Sequence, residues 1–440
     1  MELLTDNEGT PLMFRSNRVF GFTETPNPVV EKPEETFTIG KREYVSWGPD
    51  NRYPDEAVRT IGKTGVLSTG IGFKARTSFG QGVVPMDITG YDDKSGDMLL
   101  RACQDKEVQR YFRSEPFLKY ASAAFRDLFK FGNCFPVLYF NEGGRRIVNV
   151  VIHNARHCRV SKDKKWLLTY SNFDNQMPTE ADCKIFQMLD EYDPQLDLDR
   201  LRLTGKLKGQ ALAYPVIKNY YSNNDYYGIP DWDAALRSGW IDIANKIPKF
   251  LAKSYANAMS LMWHIQIPES FWEKKFPKGD NKNKEERKQK IREYMDKVEE
   301  DLCGEENVSK AFISTYEAGI NGKGEGWKID RLENEIDAKE RLSTSAAANS
   351  EILFSLMINP SVFGAGMPGG AYAGNAGSGS DIRESFLVSI ITTYIEKQQV
   401  LFPIQTMLRY NGHDEDLVLK YKETILTTLN TGQAKEEVTT

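Results

Sequence analysis

The stretch between residues 359 and 380 constrains this chain more than any other. Seven of the sixteen residues from Gly364 to Gly379 are glycine, and none of the sixteen is charged. Helix-period patterns flank it, over 336–358 before and 381–409 after. Asn359-Pro360 ends the first pattern, because proline lacks an N–H and the residue before it avoids the α region. Ser380-Asp381 is expected to start the second, with Glu384 at capping-box spacing from Asp381. A structureless loop of this length between helices is either functional or disordered. It has three readings: an anion nest offering backbone N–H groups to phosphate, an inert linker, or a smooth neutral surface past which something moves. Val362, Phe363, Met367 and Tyr372 give it side chains that dock, which argues against the plain linker.

A chain of 440 residues has room for two or three domains. Its net charge of −5 excludes a global basic field of the kind that wraps nucleic acid. The five cysteines (Cys103, Cys134, Cys158, Cys183 and Cys303) are widely spaced with no CxxC, and read as reduced thiols. No signal peptide is expected at the acidic start. No segment reaches the roughly 18 apolar residues of a membrane span.

Taken in order, residues 1–36 read as an extended arm, with Pro26, Pro28 and Pro33 disfavouring a packed element. A short strand follows over 36–45, then a turn at 47–51, helix-like spacing over 55–75, and a turn into a strand at 79–85. Residues 117–131 form an amphipathic helix with Phe117, Tyr120, Ala124, Leu128 and Phe131 on one face. Gly132-Asn133 ends it. Strands at 134–140 and 147–152 around Gly143-Gly144 make a hairpin, and further strands are expected at 166–170 and 216–221. A long helix runs from Trp232 to about Met259, bent at Pro248. An insert over 261–332 carries strands at 262–267, 311–316 and 327–332 around a charged helix at 282–300. The helix at 336–358 has a run of small residues over 343–350, which lets helices approach closely. In the helix after the glycine stretch, Phe386, Ile390, Tyr394, Leu401, Ile404 and Leu408 make an apolar stripe and Pro403 kinks the end. Residues 417–428 are a final strand or helix, and 432–440 a frayed tail.

Chemistry-bearing motifs are weak. Gly62-Lys63-Thr64 lacks the first Walker glycine, since position 57 is Ala57, and no buried strand precedes it. Gly70-Ile71-Gly72 lacks the third glycine of a dinucleotide fingerprint. His153, His157 and Cys158 lie in strand and turn, where an i/i+4 pair does not share a face, so packing is the better reading than metal binding. No catalytic constellation stands out among four histidines. The expectation is no catalytic residues, no metal and no cofactor.

Five segments together resemble the portal proteins of tailed bacteriophages, over about residues 50–410. Residues 117–147 (FLKYASAAFRDLFKFGNCFPVLYFNEGGRRI) resemble the family's helix, Gly-Asn, strand, turn and strand. Asn224–Pro230 (NDYYGIP) is similar to its Gly-x-Pro before the first stem helix. Residues 253–267 (KSYANAMSLMWHIQI) resemble the end of that helix running into the first clip strand. Residues 357–364 (MINPSVFG) are similar to the close of the second stem helix. Residues 381–407 resemble the tunnel helix, including Gln398, Gln399 and the turn at Pro403–Gln405.

The resemblance implies an α+β portal-type fold. Residues 1–36 would be the arm and 37–228 an α/β wing. Stem helices would lie at 229–259 and 335–359, with a small α/β clip at 260–334 between them. The tunnel loop would be 360–380 and the tunnel helix 381–409, and 410–440 would be a short crown or tail. It further implies a homo-oligomeric ring, commonly of twelve subunits, at one capsid vertex of a virion assembled in the host cytoplasm. Such a ring conducts double-stranded DNA during packaging and ejection. It docks the terminase large subunit, a head–tail adaptor and the major capsid protein, with no membrane partner. The loop positions would be Val362, Phe363, Gly364, Met367, Gly369, Gly370, Tyr372, Gly374 and Asn375. The stem would turn Lys339, Arg341, Ala346 and Ala347 to the channel. The clip would present Lys282, Lys284, Arg287 and Lys288 to motor or adaptor. The alternatives are another ring-forming adaptor or capsid component and, less favoured, a phosphate-binding enzyme. This chain departs from the family in its shortness, which leaves little for a crown, and in the glycine and alanine content of its loop.

Overall fold

A computed structural model describes residues 3–5, 11–15, 18–19, 35–173, 178–219, 225–260, 263–267, 269–277, 284–303, 328–331, 338–363, 379–414 and 416–423. The chain forms two compact units, one of Met1–Asn245 with Lys339–Thr440 and one of Lys246–Ala338.

The first unit opens with β1 (Leu3–Thr5), β2 (Pro11–Arg15) and β3 (Arg18–Val19), which pair as an antiparallel meander. This departs from the expected extended arm. The prolines behind that expectation lie at 26–33, outside the described residues, whereas Leu12, Met13 and Phe14 supply a strand-forming run. Next come the hairpin β4 (Thr36–Ile39) and β5 (Arg42–Val45), then α1 (Tyr53–Lys63) and α2 (Gly65–Phe79), divided by Thr64 in extended conformation. The hairpin β6 (Val83–Tyr91) and β7 (Met98–Ala102) leads to α3 (Lys106–Phe112), whose N-cap Asp105 accepts from the N–H groups of Glu107 and Val108.

The core is built on α4 (Glu115–Phe131), which buries Phe117, Tyr120, Ala121, Ala124, Phe125, Leu128 and Phe131. Each large side chain so buried contributes about 1.5–3 kcal/mol. Gly132 closes the helix at φ 69°, as its sequence position predicts. β8 (Asn133–Phe140) and β9 (Ile147–His153) form the expected hairpin. After β10 (Cys158–Val160), β11 (Trp166–Thr169), β12 (Lys184–Met188) and α5 (Pro194–Leu203) come β13 (Ala211–Ala213) and β14 (Ile217–Lys218). The seven strands make one sheet in the order β10-β11-β12-β13-β8-β14, with β9 on the other side of β8. Only β12 and β13 are parallel.

β8 is buried along almost its whole length, so a proline within it needs a reason. β13 pairs with residues 137–139 and β14 with 133–134 on the same edge. Pro136 sits in the gap between them, where no strand asks for its missing N–H, and its carbonyl accepts from Tyr214 N at 2.8 Å. The free edge of β9 is blunted by side chains. Asn411 accepts from Ile147 N at 2.8 Å and donates to Ile147 O at 2.9 Å, and Asn149 Oδ1 accepts from Val150 N. These amides replace the ladder of a further strand.

The single helix expected from Trp232 is two, α6 (Asp233–Arg237) and α7 (Trp240–Ser260), because Gly239 takes φ 85° between them. The second unit holds β15 (Trp263–Gln266), α8 (Glu269–Lys275), α9 (Lys284–Cys303) and β16 (Lys328–Arg331), with β15 and β16 antiparallel. The strand expected at 311–316 lies outside the described residues, and α8 was not expected. Back in the first unit come most of α10 (Ala338–Ser355), then α11 (Gly379–Ile391) and α12 (Tyr394–Tyr410). β17 (Leu417–Tyr421) pairs with β6, which resolves the expected strand or helix at 417–428 as a strand at its start.

The helix expected over 381–409 is therefore interrupted at Thr392-Thr393. The hydroxyls of Ser389, Thr392 and Thr393 donate to carbonyls three or four residues back, at 2.9–3.4 Å, and so compete with the helical ladder. Pro403 does not end α12, which runs on to Tyr410. Asp381 lies inside the first turn of α11 rather than at its cap, since the helix already begins at Gly379.

Candidate channel and assembly site

Two sequence signatures 95 residues apart meet in the first unit. The buried amide of Asn133 donates to Phe131 O at 2.8 Å and to Gly228 O at 2.9 Å, and its oxygen accepts from Gly228 N at 2.7 Å. A Cβ on Gly132 would lie 2.7 Å from Ile229 C and Pro230 N, and one on Gly228 would strike Gly132 O. The Gly-Asn after α4 and the Gly-x-Pro before α6 are thus the two halves of one backbone crossing. Trp232, fully buried, donates from Nε1 to Lys130 O at 3.0 Å and fixes the entry to α6 on the end of α4.

A buried ion pair lies beside this crossing. Lys74 on α2 pairs with one oxygen of Asp231, and Asn219 Nδ2 donates to the other at 2.6 Å and to Ile229 O at 3.1 Å. The Lys74 ammonium also lies 5.0 Å from the centre of the Phe129 ring. No sequence motif pointed to this pair.

The end of α10 docks on α2. Ile352, Leu353, Leu356 and Ile358 are buried, and a Cβ on Gly70 would lie 2.5 Å from Leu356 Cδ1. Ile358 N donates to Leu353 O at 2.9 Å while Met357 takes φ 56°, a left-handed helix close made without glycine. Gly70 is therefore a packing position. Gly62 and Lys63 lie in the last turn of α1, not in a loop that opens a helix. His153 shares a hydrogen bond of 3.0 Å with the Tyr139 hydroxyl, and Cys158 is buried and donates to Asn154 O.

The expected channel residues fall unevenly. Lys339, Arg341, Ala346 and Ala347 are all on α10. Ala346 is 2 % exposed in the single chain and Ala347 is half-buried. The side chains of Lys339 and Arg341 are outside the described residues. Val362 and Phe363 belong to a short 3-10 turn, Pro360–Phe363. Gly364, Met367, Gly369, Gly370, Tyr372, Gly374 and Asn375 lie outside the described residues.

In the second unit, Phe271, Trp272, Phe276 and Tyr294 gather with ring centres 5.3–6.4 Å apart, and Lys275 Nζ sits 3.7 Å over Tyr294. Arg287, expected to face a partner, donates to Phe276 O at 2.9 Å and Trp272 O at 3.5 Å. It caps the carbonyl end of α8. Lys288 is exposed and lies 3.5 Å from Glu285, Lys284 is the first residue of α9, and Lys282 is outside the described residues.

Exposed apolar side chains recur at the end of α10 and along α11 and α12. Phe354 is 79 % exposed, Ile391 70 % and Tyr394 60 %, and Val388, Ile395 and Phe402 are also exposed. The stripe read from the sequence is core only in its second half, at Leu401, Ile404 and Leu408.

No family model and no curated protein matches this chain. Solved structures do. Its fold is shared with chains of gene transfer agent particles. A chain of the virion of the native particle aligns at TM-score 0.53 and 15 % identity, over 89 % of this chain and 86 % of that one. A chain from the neck of the native particle, computed with C12 symmetry, aligns at 0.52 and 16 %, over 86 % and 85 %. One from the neck of the empty particle, computed with C6 symmetry, aligns at 0.54 and 14 %, over 89 % and 86 %.

Proposed function

We propose that this chain is a portal subunit, which assembles into a ring at one capsid vertex and conducts double-stranded DNA during packaging and ejection. The observation that carries this reading is the group of uncovered apolar side chains on α10, α11 and α12. Exposed apolar side chains concentrated on a few elements mark an interaction site, and in a ring each copy would cover its neighbour's. The likeness of nearly the whole chain to chains of a particle's neck supports the same reading. On it, residues 260–334 are the clip that meets the terminase large subunit and a head–tail adaptor, and residues 360–380 are the loop that faces the channel. The surrounding capsid protein would hold the wing. The chain itself would catalyse nothing, the motor being a separate protein.

Charge fits a conduit. DNA binds tightly where lysine and arginine displace its counterions. A chain of net charge −5 with a loop free of charge lets DNA pass without holding it. Electron microscopy of the purified protein is the test. Rings with a central hole and a stalk are expected, and a flat disc or a persistent monomer would overturn the proposal.

A further inference from the structure

Next to the Lys74–Asp231 pair, two buried acceptors have no donor. These are Asn219 Oδ1 and Glu396 Oε2, the latter in the first turn of α12. Both side chains line one small internal void, together with Asp231, Leu128 and Phe129, and it has no room for a water molecule. Water therefore cannot bridge them. Turning the Asn219 amide over would not help, because its nitrogen already faces two acceptors, Ile229 O and Asp231 Oδ1. The charges also leave one excess. Lys74 and Asp231 cancel, and Lys397, the neighbour of Glu396, is held by Glu423 at 2.7 Å. From α4 the void receives only the apolar Leu128 and Phe129. An ionised Glu396 would be an unpaired buried charge.

We propose that Glu396 holds a proton in the folded chain and donates it to Asn219 Oδ1, a latch that fastens α12 to the segment entering α6. One proton satisfies both orphaned acceptors and removes the excess charge. Burial pushes the Glu396 carboxyl above its ordinary range. Its own backbone N–H opposes this, as do Lys74 and Lys397, and Asp231 adds to it. Loss of the proton would give Lys74 a second carboxylate to choose and loosen its hold on Asp231.

The sign of the pH dependence follows. The unfolded chain loses this proton at the ordinary carboxylate pKa and the folded chain only at a higher one. The latch's contribution is therefore complete below the ordinary value and is lost as pH rises through the folded value. Glu396→Gln keeps a donor and cannot ionise. Infrared difference spectra of full-length wild type minus E396Q at pH 7 are expected to contain a carboxylic-acid C=O band. Denaturation midpoints of the two proteins are expected to coincide at pH 4 and to separate as pH rises to 9, with E396Q unfolding at the higher denaturant concentration. A carboxylate band in place of the acid band, parallel pH profiles, or an E396Q chain that does not fold would each overturn the proposal.

Discussion

Gly132, Asn133 and Gly228 explain at the level of single atoms why three small residues stand where they do. Any side chain on Gly132 would meet the backbone of residues 228–230 while also forcing φ 69° on an L-residue. Gly132→Ala is expected to cost about 2–4 kcal/mol, from left-handed strain plus overpacking. Asn133→Ala leaves Gly228 N and O without partners in the core and is expected to cost about 2–3 kcal/mol. Urea unfolding followed through tryptophan fluorescence measures both, since Trp232 and Trp47 are buried in the same core. A loss below about 1 kcal/mol for either would mean that the crossing relaxes freely.

Elements carry two further lessons. Helical periodicity located α11 and α12 but not the break between them, because hydroxyl back-bonding at Ser389, Thr392 and Thr393 decides it locally. On the proposed reading, the exposed side of α11 is the surface for assembly. Leu387→Lys combined with Ile391→Lys is expected to leave circular dichroism unchanged and to convert rings to monomers, read by light scattering on a sizing column. Exposed positions tolerate such changes within about 0.5 kcal/mol of folding stability. In the second unit Arg287 belongs to its own fold. Arg287→Ala is expected to destabilise that unit by about 1–3 kcal/mol through the two carbonyls it leaves bare. Lys288→Ala is expected to change stability by less than about 0.5 kcal/mol. Protection of α8 and α9 in hydrogen exchange distinguishes the two.

Across the whole molecule the governing quantity is charge set against assembly. On the proposed reading, a ring of chains each at −5 with a neutral loop would have little reason to grip DNA. The purified oligomer is expected to bind duplex DNA no more tightly than roughly micromolar at physiological salt, with a shallow dependence on salt concentration. Fluorescence anisotropy checks it, and a steep salt slope would mean that lysine and arginine side chains grip the duplex after all.

Local order was legible in the sequence because it is set by neighbours a few residues apart. The periodicity of α4, its glycine close, the β8–β9 hairpin and the placing of an insert between two long helical segments all follow from propensity, caps and turn chemistry. The resemblance carried by Gly132-Asn133 and Gly228-Ile229-Pro230 was also visible, but not its cause. Only the tertiary structure brought those motifs into contact, paired Lys74 with Asp231 across 157 residues, buried Ala346 and left Ile391 bare. Such contacts depend on which distant elements the topology makes adjacent, and a local pattern holds no information about a partner a hundred residues away.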